Sequence, residues 1–173
     1  MSSPVRLLAA AVACFGVCAS CLTLGVAGLM GRTDVSGPAG SSGATAVGDT
    51  PVSPGAEVAL AWAMGRVGTP YLWGGVGPRG FDCSGLTQAA YRAAGVMLPR
   101  VAQQQFDAGP HVDAGAPLHP GDLVFFGSSR AAVDHVGMAL GQGDMVDAPH
   151  RGASVQIERI WSNGYVGATR PAG

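Results

Sequence analysis

The sequence predicts a single domain in which helix and antiparallel sheet occur together, and this expectation depends on two stretches of the chain. Residues 86–94 place apolar side chains at helical spacing, and Gly95 follows them as a typical helix stop. Two apolar runs of strand length, 122–126 and 135–140, are followed by a glycine-bearing turn at 141–143. With 173 residues, the chain can bury one core of ordinary size but not two.

Charged residues are scarce, at 12% of the chain, and all ten basic residues are arginine. The absence of lysine excludes a Schiff-base lysine and a phosphate-binding Gly-Lys-Ser/Thr loop. The formal net charge is −1, so the chain lacks the basic surface that nucleic-acid binding requires. No nucleic-acid partner is therefore expected.

Composition divides the chain into three parts. Residues 1–31 include 25 consecutive residues, 7–31, without charge or proline, which is enough for a membrane-spanning helix. This part is either a membrane anchor or a cleaved signal peptide, and both interpretations predict that the rest of the chain is exported. Residues 32–55 are rich in Gly, Ser, Ala, Thr and Pro and are expected to form a flexible linker. Residues 56–171 hold every Trp, Tyr and His and form the predicted domain.

Cysteine usage directs attention to one residue. Cys14, Cys18 and Cys21 lie in the apolar segment, whereas Cys83 is the only cysteine of the predicted domain. Cys83 therefore has no partner for a disulfide within the domain, and zinc sites built on several thiolates are excluded. An unpaired thiol in an exported protein is a liability unless it is used or buried.

The local sequence predicts that Cys83 lies in the first turn of a helix. Asp82 is a typical N-cap residue, and Gly80 provides a turn before it. At this position the helix dipole and the unpaired backbone N–H groups favour the thiolate and could bind an oxyanion. The alternative is that Cys83 is a small buried core residue.

A thiolate nucleophile needs a base, and His135 is the histidine that the strand pattern supports best. A three-residue loop at 141–143 would pair Leu140 with Asp144, and the same register sets Gly137 opposite Asp147. His135 and Asp147 would then be diagonal neighbours on one face of the sheet, within reach of a hydrogen bond.

The other histidines have weaker support. His111 and His119 lie in a Pro- and Gly-rich stretch and are expected to be exposed loop residues. His150 either lines a cleft or belongs to the surface. The chain has no His-Glu-x-x-His helix and no Gly-x-Ser-x-Gly elbow, which disfavours metallopeptidase and serine hydrolase chemistry.

Six sequence blocks resemble the NlpC-type family of papain-like cysteine peptidases, which act on peptidoglycan, and they are most similar to the Rip-type wall hydrolases of actinobacteria. The blocks are YLWGG (71–75), FDCSGL (81–86), LPR (98–100), PGDLVFF (120–126), DHVGMALG (134–141) and YVGATRP (165–171). The resemblance covers nearly all of residues 56–171. It implies an α+β papain-like fold in which a helix carrying the nucleophile packs against an antiparallel sheet carrying the base.

The resemblance implies a role for each site residue at its matching position. Cys83 matches the nucleophile, His135 the general base and acid, and Asp147 the residue that orients the imidazole, where relatives often have His, Glu, Gln or Asn. Three further matches concern the oxyanion and substrate sites: Tyr71, Asp82 and Ser84. Relatives often carry Thr or Ser after the position of Arg100, whereas this chain has Val101.

The implied reaction is hydrolysis of an amide bond in peptidoglycan stem peptides, most often between γ-D-glutamate and meso-diaminopimelate. It requires no metal and no cofactor. The implied enzyme is a monomeric domain that faces the cell wall, either anchored in the membrane through residues 7–31 or secreted. Three alternatives remain: a non-catalytic wall-binding module, an amidase or acyltransferase of the same fold, and a redox-sensing thiol, which would need an outside thiol as its partner.

Overall fold

Helices precede a five-stranded antiparallel sheet in the computed structural model, which describes residues 52–172. The helices are α1 (Pro54–Met64), α2 (Cys83–Ala93) and α3 (Ala102–Ala108). The strands are β1 (Leu123–Ser129), β2 (Ala132–Gly141), β3 (Asp144–Asp147), β4 (Gln156–Arg159) and β5 (Tyr165–Thr169), in the order β4-β3-β2-β1-β5. The predicted α+β class is confirmed.

The predicted N-terminal anchor or signal segment lies outside the described residues, as do residues 32–51 of the predicted linker. Helix α1 begins at Pro54, two residues before the predicted domain start, and the Ser53 hydroxyl caps it by accepting from the backbone N–H of Ala56 at 3.3 Å. From residue 52 to 172, none of the helices combines the length and apolarity needed to cross a membrane.

Helix α2 starts where the sequence predicts. The Asp82 carboxylate accepts a 2.7 Å hydrogen bond from the backbone N–H of Gly85, which makes Asp82 the N-cap and Cys83 the first helical residue. The helix ends at Ala93, slightly before the predicted stop, and Gly95 follows in the left-handed region with φ of 80°. Helix α2 packs against both α1 and β2.

The turn between β2 and β3 differs from the prediction. Asp144 pairs with Gly141 rather than with Leu140, because the turn contains two residues, Gln142 and Gly143, with φ of 55° and 84°. The predicted pairing of Leu140 with Asp144 is therefore wrong at the turn.

A β-bulge restores the predicted register further along the same hairpin. Met138 pairs with Val146, so β2 carries one more residue than β3 between this pair and the turn. A Cβ atom at Gly137 would lie 3.3 Å from the Cβ of Asp147, so the two positions face each other closely across the hairpin. The loop is one residue shorter than predicted, and the bulge adds one residue that was not predicted. The two differences cancel, so the pairing beyond the bulge is as predicted.

The sheet has a buried cluster on each face. The larger cluster packs the helices against one face and includes Ala59, Ala63, Leu86, Ala90, Leu123, Phe125, Val136, Met138 and Val146. The smaller cluster comprises Val124, Phe126, Ala139, Met145 and Ala168. Burial on both faces explains why β1 is a continuous apolar run rather than an alternating one.

Gly85 has no room for a side chain, which leads to a stability prediction. A Cβ atom at this position would collide with the carbonyl oxygen of Gly75 and lie 2.9 Å from Asp82 Oδ1. We expect Gly85→Ala to lower the free energy of unfolding by about 3 kcal/mol, measured by urea denaturation. Gly65→Ala is the matched control, since its nearest neighbour would be at 3.5 Å, and an equal loss in both variants would contradict this packing argument.

Candidate active site

Five of the six predicted site residues line one open cleft of about 1030 Å³. They are Tyr71, Asp82, Cys83, Ser84 and His135. The sixth, Asp147, is completely buried behind the cleft wall and reaches the site through His135. The structure therefore brings residues 82–84 together with Tyr71, His135 and Asp147, which lie in other parts of the sequence.

Cys83 presents its thiol at the start of α2, where it is half-buried and unpaired. The His135 side chain lies at the same cleft, close enough for the two groups to interact electrostatically. Since Asp147 occupies the Nε2 atom of His135, the Nδ1 atom is the one left to face the thiol. A nucleophile, a base and an orienting carboxylate thus lie next to one another in that order.

The contact between His135 and Asp147 is short and shielded from water. His135 Nε2 lies 2.8 Å from Asp147 Oδ2, and the two residues are 8% and 0% exposed. The aspartate side chain, although shorter than the Glu or Gln often found in relatives, reaches the imidazole because the register sets the two residues diagonally across the hairpin.

The surroundings of His135 favour its charged form. Burial opposes the charge, but the hydrogen bonds to Asp147 and Cys83 and the negative charges of both outweigh burial and raise the pKa of His135 from 6.5 to about 9. His135 is therefore an imidazolium at neutral pH, held between two acidic groups. This state can donate a proton to a leaving amine.

An aromatic side chain that the sequence analysis did not single out covers the imidazole. Trp161 stacks on His135 with ring centroids 5.1 Å apart and an interplanar angle of 22°. The ring of Phe126 lies next to both, with its centroid 4.8 Å from that of Trp161 and 5.8 Å from that of His135. Trp161 lies in the loop after β4, where no periodic pattern marks it as a site residue.

Asp82 has a second function besides capping α2. Its carboxylate also accepts from the backbone N–H of Gly74 at 2.9 Å and from Arg100 at 2.6 and 3.0 Å. Arg100 also donates to Ser84 Oγ at 3.0 Å, so the guanidinium ties the two predicted substrate residues together. Arg100 belongs to the LPR block, but its sequence position alone does not mark it as a site residue.

Tyr71 lies at the cleft beside the thiol. Burial, together with the charges of Cys83 and Asp82, raises the pKa of its phenol above the ordinary value. The phenol therefore stays protonated and can donate a hydrogen bond towards the cleft.

Of the remaining histidines, His111 and His150 are exposed, whereas His119 is half-buried rather than exposed as predicted. His150 is exposed and lines the cleft together with Arg151. His111 is exposed and packs edge-on against Phe106 at 4.6 Å, and His119 lies at a separate small cavity. Over residues 52–172, no group of three or more His, Cys, Asp or Glu side chains is arranged to hold a metal ion.

Comparison with known proteins gives one family. Residues 68–170 match the model of the NlpC/P60 family. The murein DD-endopeptidase MepH of Escherichia coli is 40% identical over 126 residues, which cover 66% of this chain and 45% of that protein. A gamma-D-glutamyl-L-lysine dipeptidyl-peptidase of Bacillus subtilis is 42% identical over 96 residues, covering 53% of this chain and 31% of that protein.

Solved structures give the same fold. The peptidoglycan hydrolase RipB from Mycobacterium tuberculosis superposes with a TM-score of 0.61 and 31% identity, covering 69% of this chain and 65% of that chain. This chain spans less than half the length of both curated relatives. The papain-like architecture that the resemblance implied is therefore confirmed for the domain.

Proposed function

The chain belongs to the NlpC/P60 family, and we propose that it is a cysteine endopeptidase that hydrolyses peptidoglycan stem peptides. The observation that carries this proposal is the chain of contacts from Cys83 through His135 to Asp147 at the wall of an open cleft. A buried structural thiol would not need an imidazolium partner or a path to solvent.

In the proposed mechanism, the Cys83 thiolate attacks the carbonyl carbon of the scissile amide and forms a C–S bond. Backbone N–H groups at the start of α2 and the Tyr71 hydroxyl stabilise the oxyanion. The imidazolium of His135 then donates its proton to the amine nitrogen as the C–N bond breaks. His135, now neutral, takes a proton from water, which attacks the thioester and releases the acid and the thiolate.

Asp147 and Trp161 support this cycle without touching the substrate's carbonyl group. The Asp147 carboxylate fixes the ring orientation and stabilises the imidazolium through the 2.8 Å contact. The stacked Trp161 ring covers one face of the imidazole, which limits its access to water. Asp82 and Ser84, held by Arg100, provide polar groups for the substrate backbone at the helix end of the cleft.

For the scissile bond we propose the γ-D-glutamyl–meso-diaminopimelate amide. The Bacillus subtilis relative is named for the bond between γ-D-glutamate and L-lysine, and its γ-D-glutamyl side supports this choice. The relative from Escherichia coli is named as a DD-endopeptidase, which supports the amide of a peptide cross-link as the second candidate. The two bonds give different products.

We further propose that residues 1–31 export the chain, as a membrane anchor or a cleaved signal peptide, and that the linker ends before Ser53, the N-cap of α1. Peptidoglycan lies outside the cytoplasmic membrane, so an enzyme acting on it must be exported. With either N-terminal segment, the domain would act at the cell wall as a monomer.

The function is tested by incubating the full chain with purified diaminopimelate-type peptidoglycan and identifying the released peptides by mass spectrometry. We expect a fragment that carries diaminopimelate at a free N-terminus. Conversion of cross-linked dimers to monomers, without that fragment, would assign the DD bond instead. No release of any peptide by a folded chain with a reactive Cys83 would contradict the endopeptidase proposal and favour a wall-binding module or an amidase with another substrate.

A further inference from the structure

A second carboxyl group lies behind the site, on the strand beyond Asp147. Strand β4 pairs with β3 so that Gln156 is opposite Asp147 and Glu158 is opposite Met145. Glu158 is therefore the diagonal neighbour of Asp147, close enough for the charge of Asp147 to act on it. Gln156 and Glu158 are both partly buried, whereas the alternate residues of β4 are exposed.

Each of these two carboxyl groups has one oxygen occupied and one without a partner. Asp147 Oδ2 contacts His135, and Glu158 Oε2 accepts from Gln156 Nε2 at 3.2 Å. Asp147 Oδ1 and Glu158 Oε1 are buried, and across residues 52–172 neither has a hydrogen-bond donor. Leaving two buried acceptors of this kind unpaired is costly, and two ionised carboxylates in contact would also repel each other.

One proton shared between the two groups removes both costs. A protonated Glu158 has an O–H that can donate to the orphaned oxygen of Asp147, as in other carboxyl pairs that hold a single proton between them.

The charges around Glu158 agree with this state. It faces Asp147 on β3, His135 on β2 and the neutral Gln156 on its own strand, and no Arg or His side chain forms an ion pair with it among the described residues. Burial and the charge of Asp147 raise the pKa of Glu158, while the Gln156 hydrogen bond and the His135 charge oppose that rise. The neighbouring Arg159 is directed to Asp144 instead, at 3.0 Å.

We propose that Glu158 is a positioning residue that carries a proton and donates it in a hydrogen bond to Asp147, so that the catalytic chain runs Cys83–His135–Asp147–Glu158. This inference rests on the proposed function. Glu158 does not transfer the proton. It holds the Asp147 carboxylate in the orientation that keeps Oδ2 on the imidazole, and it leaves the pair with one negative charge opposite the imidazolium.

The protonation of Glu158 can be tested without any activity. The chain contains two glutamates, Glu57 and Glu158, so the full chain labelled with 13C at the glutamate side-chain carboxyl gives two NMR signals. Glu57→Gln assigns them, because Glu57 is exposed on α1. We expect the Glu158 signal to titrate at a clearly higher pH than that of a free glutamate peptide. Titration of Glu158 at the pH of the free peptide would overturn the proposal.

The effect on catalysis is tested with two substitutions at the same position. Glu158→Ala leaves Asp147 Oδ1 without a donor, and we expect a loss of about tenfold in kcat with little change in KM. Glu158→Gln supplies an amide N–H in place of the carboxyl O–H, and we expect it to recover most of that rate, with Glu57→Gln as the matched control. Equal losses in Glu158→Ala and Glu158→Gln would contradict the proposal. The NMR result separates this failure from a failure of the proposed peptidase activity.

Discussion

Replacing Cys83 with alanine is expected to abolish hydrolysis while the domain remains folded. The thiol is the nucleophile beside His135, whereas the neighbouring Ser84 hydroxyl is held by Arg100, so removal of the sulfur should leave no efficient acyl-enzyme route. We expect the rate of peptide release from peptidoglycan to fall by at least about a thousandfold. Because the Cys83 side chain is half-buried and caps no helix, the fold should tolerate the loss of its sulfur.

The chain offers a matched control for this substitution. Cys21→Ala makes the same chemical change in the N-terminal apolar segment and is expected to leave hydrolysis unchanged. Circular dichroism of both variants checks that the fold is retained. A folded Cys83→Ala variant that still releases peptides at more than a few per cent of the original rate would exclude Cys83 as the nucleophile.

Loss of the imidazole should have the next largest effect. We expect His135→Ala to lower kcat by about 10²- to 10⁴-fold, the usual contribution of a positioned acid and base. In the unsubstituted chain, the protonated His135 is the form that donates to the leaving amine, and its pKa is raised to about 9. At neutral pH nearly all His135 side chains are protonated, and the proton is lost as the pH rises through about 9. Activity should therefore decline at alkaline pH, near pH 9.

The same pH profile tests the role of Asp147. Its negative charge and hydrogen bond raise the pKa of His135, so Asp147→Asn should move the alkaline decline to a lower pH. It should also reduce the rate less than His135→Ala does, because Asp147 acts only through the imidazole. An alkaline decline that stays at the same pH in Asp147→Asn would contradict the assignment of that decline to His135.

The parts of the site that could be predicted from the sequence are those whose geometry depends on residues close together in the chain. Asp82 and Cys83 lie within one turn of each other, and an N-cap followed by an apolar helical period fixes their relation. His135 and Asp147 belong to one hairpin, whose alternation of faces brings them together once the register is known. The loop length was predicted one residue too long, and the bulge at Leu140 compensated for that error.

The residues that the sequence analysis missed depend on contacts between distant elements. Arg100 precedes α3 and reaches back to the α2 cap, and Trp161 folds over His135 from a loop after β4. Glu158 becomes a neighbour of Asp147 only because β4 pairs with β3, and the sequence analysis predicted no strand there. A lone Arg, Trp or Glu in a short loop or edge strand has no periodicity, so its place in the site follows from tertiary structure alone.

The most direct test of the proposed catalytic role of Cys83 is to measure its alkylation and the residual activity in the same sample. The full chain is treated with iodoacetamide for increasing times, the modified fraction of Cys83 is determined by peptide mass mapping, and peptide release from peptidoglycan is measured for each sample. The rate should fall in direct proportion to the modified fraction of Cys83, whatever the state of Cys14, Cys18 and Cys21. Full activity in a sample whose Cys83 is completely alkylated would contradict the proposed nucleophile.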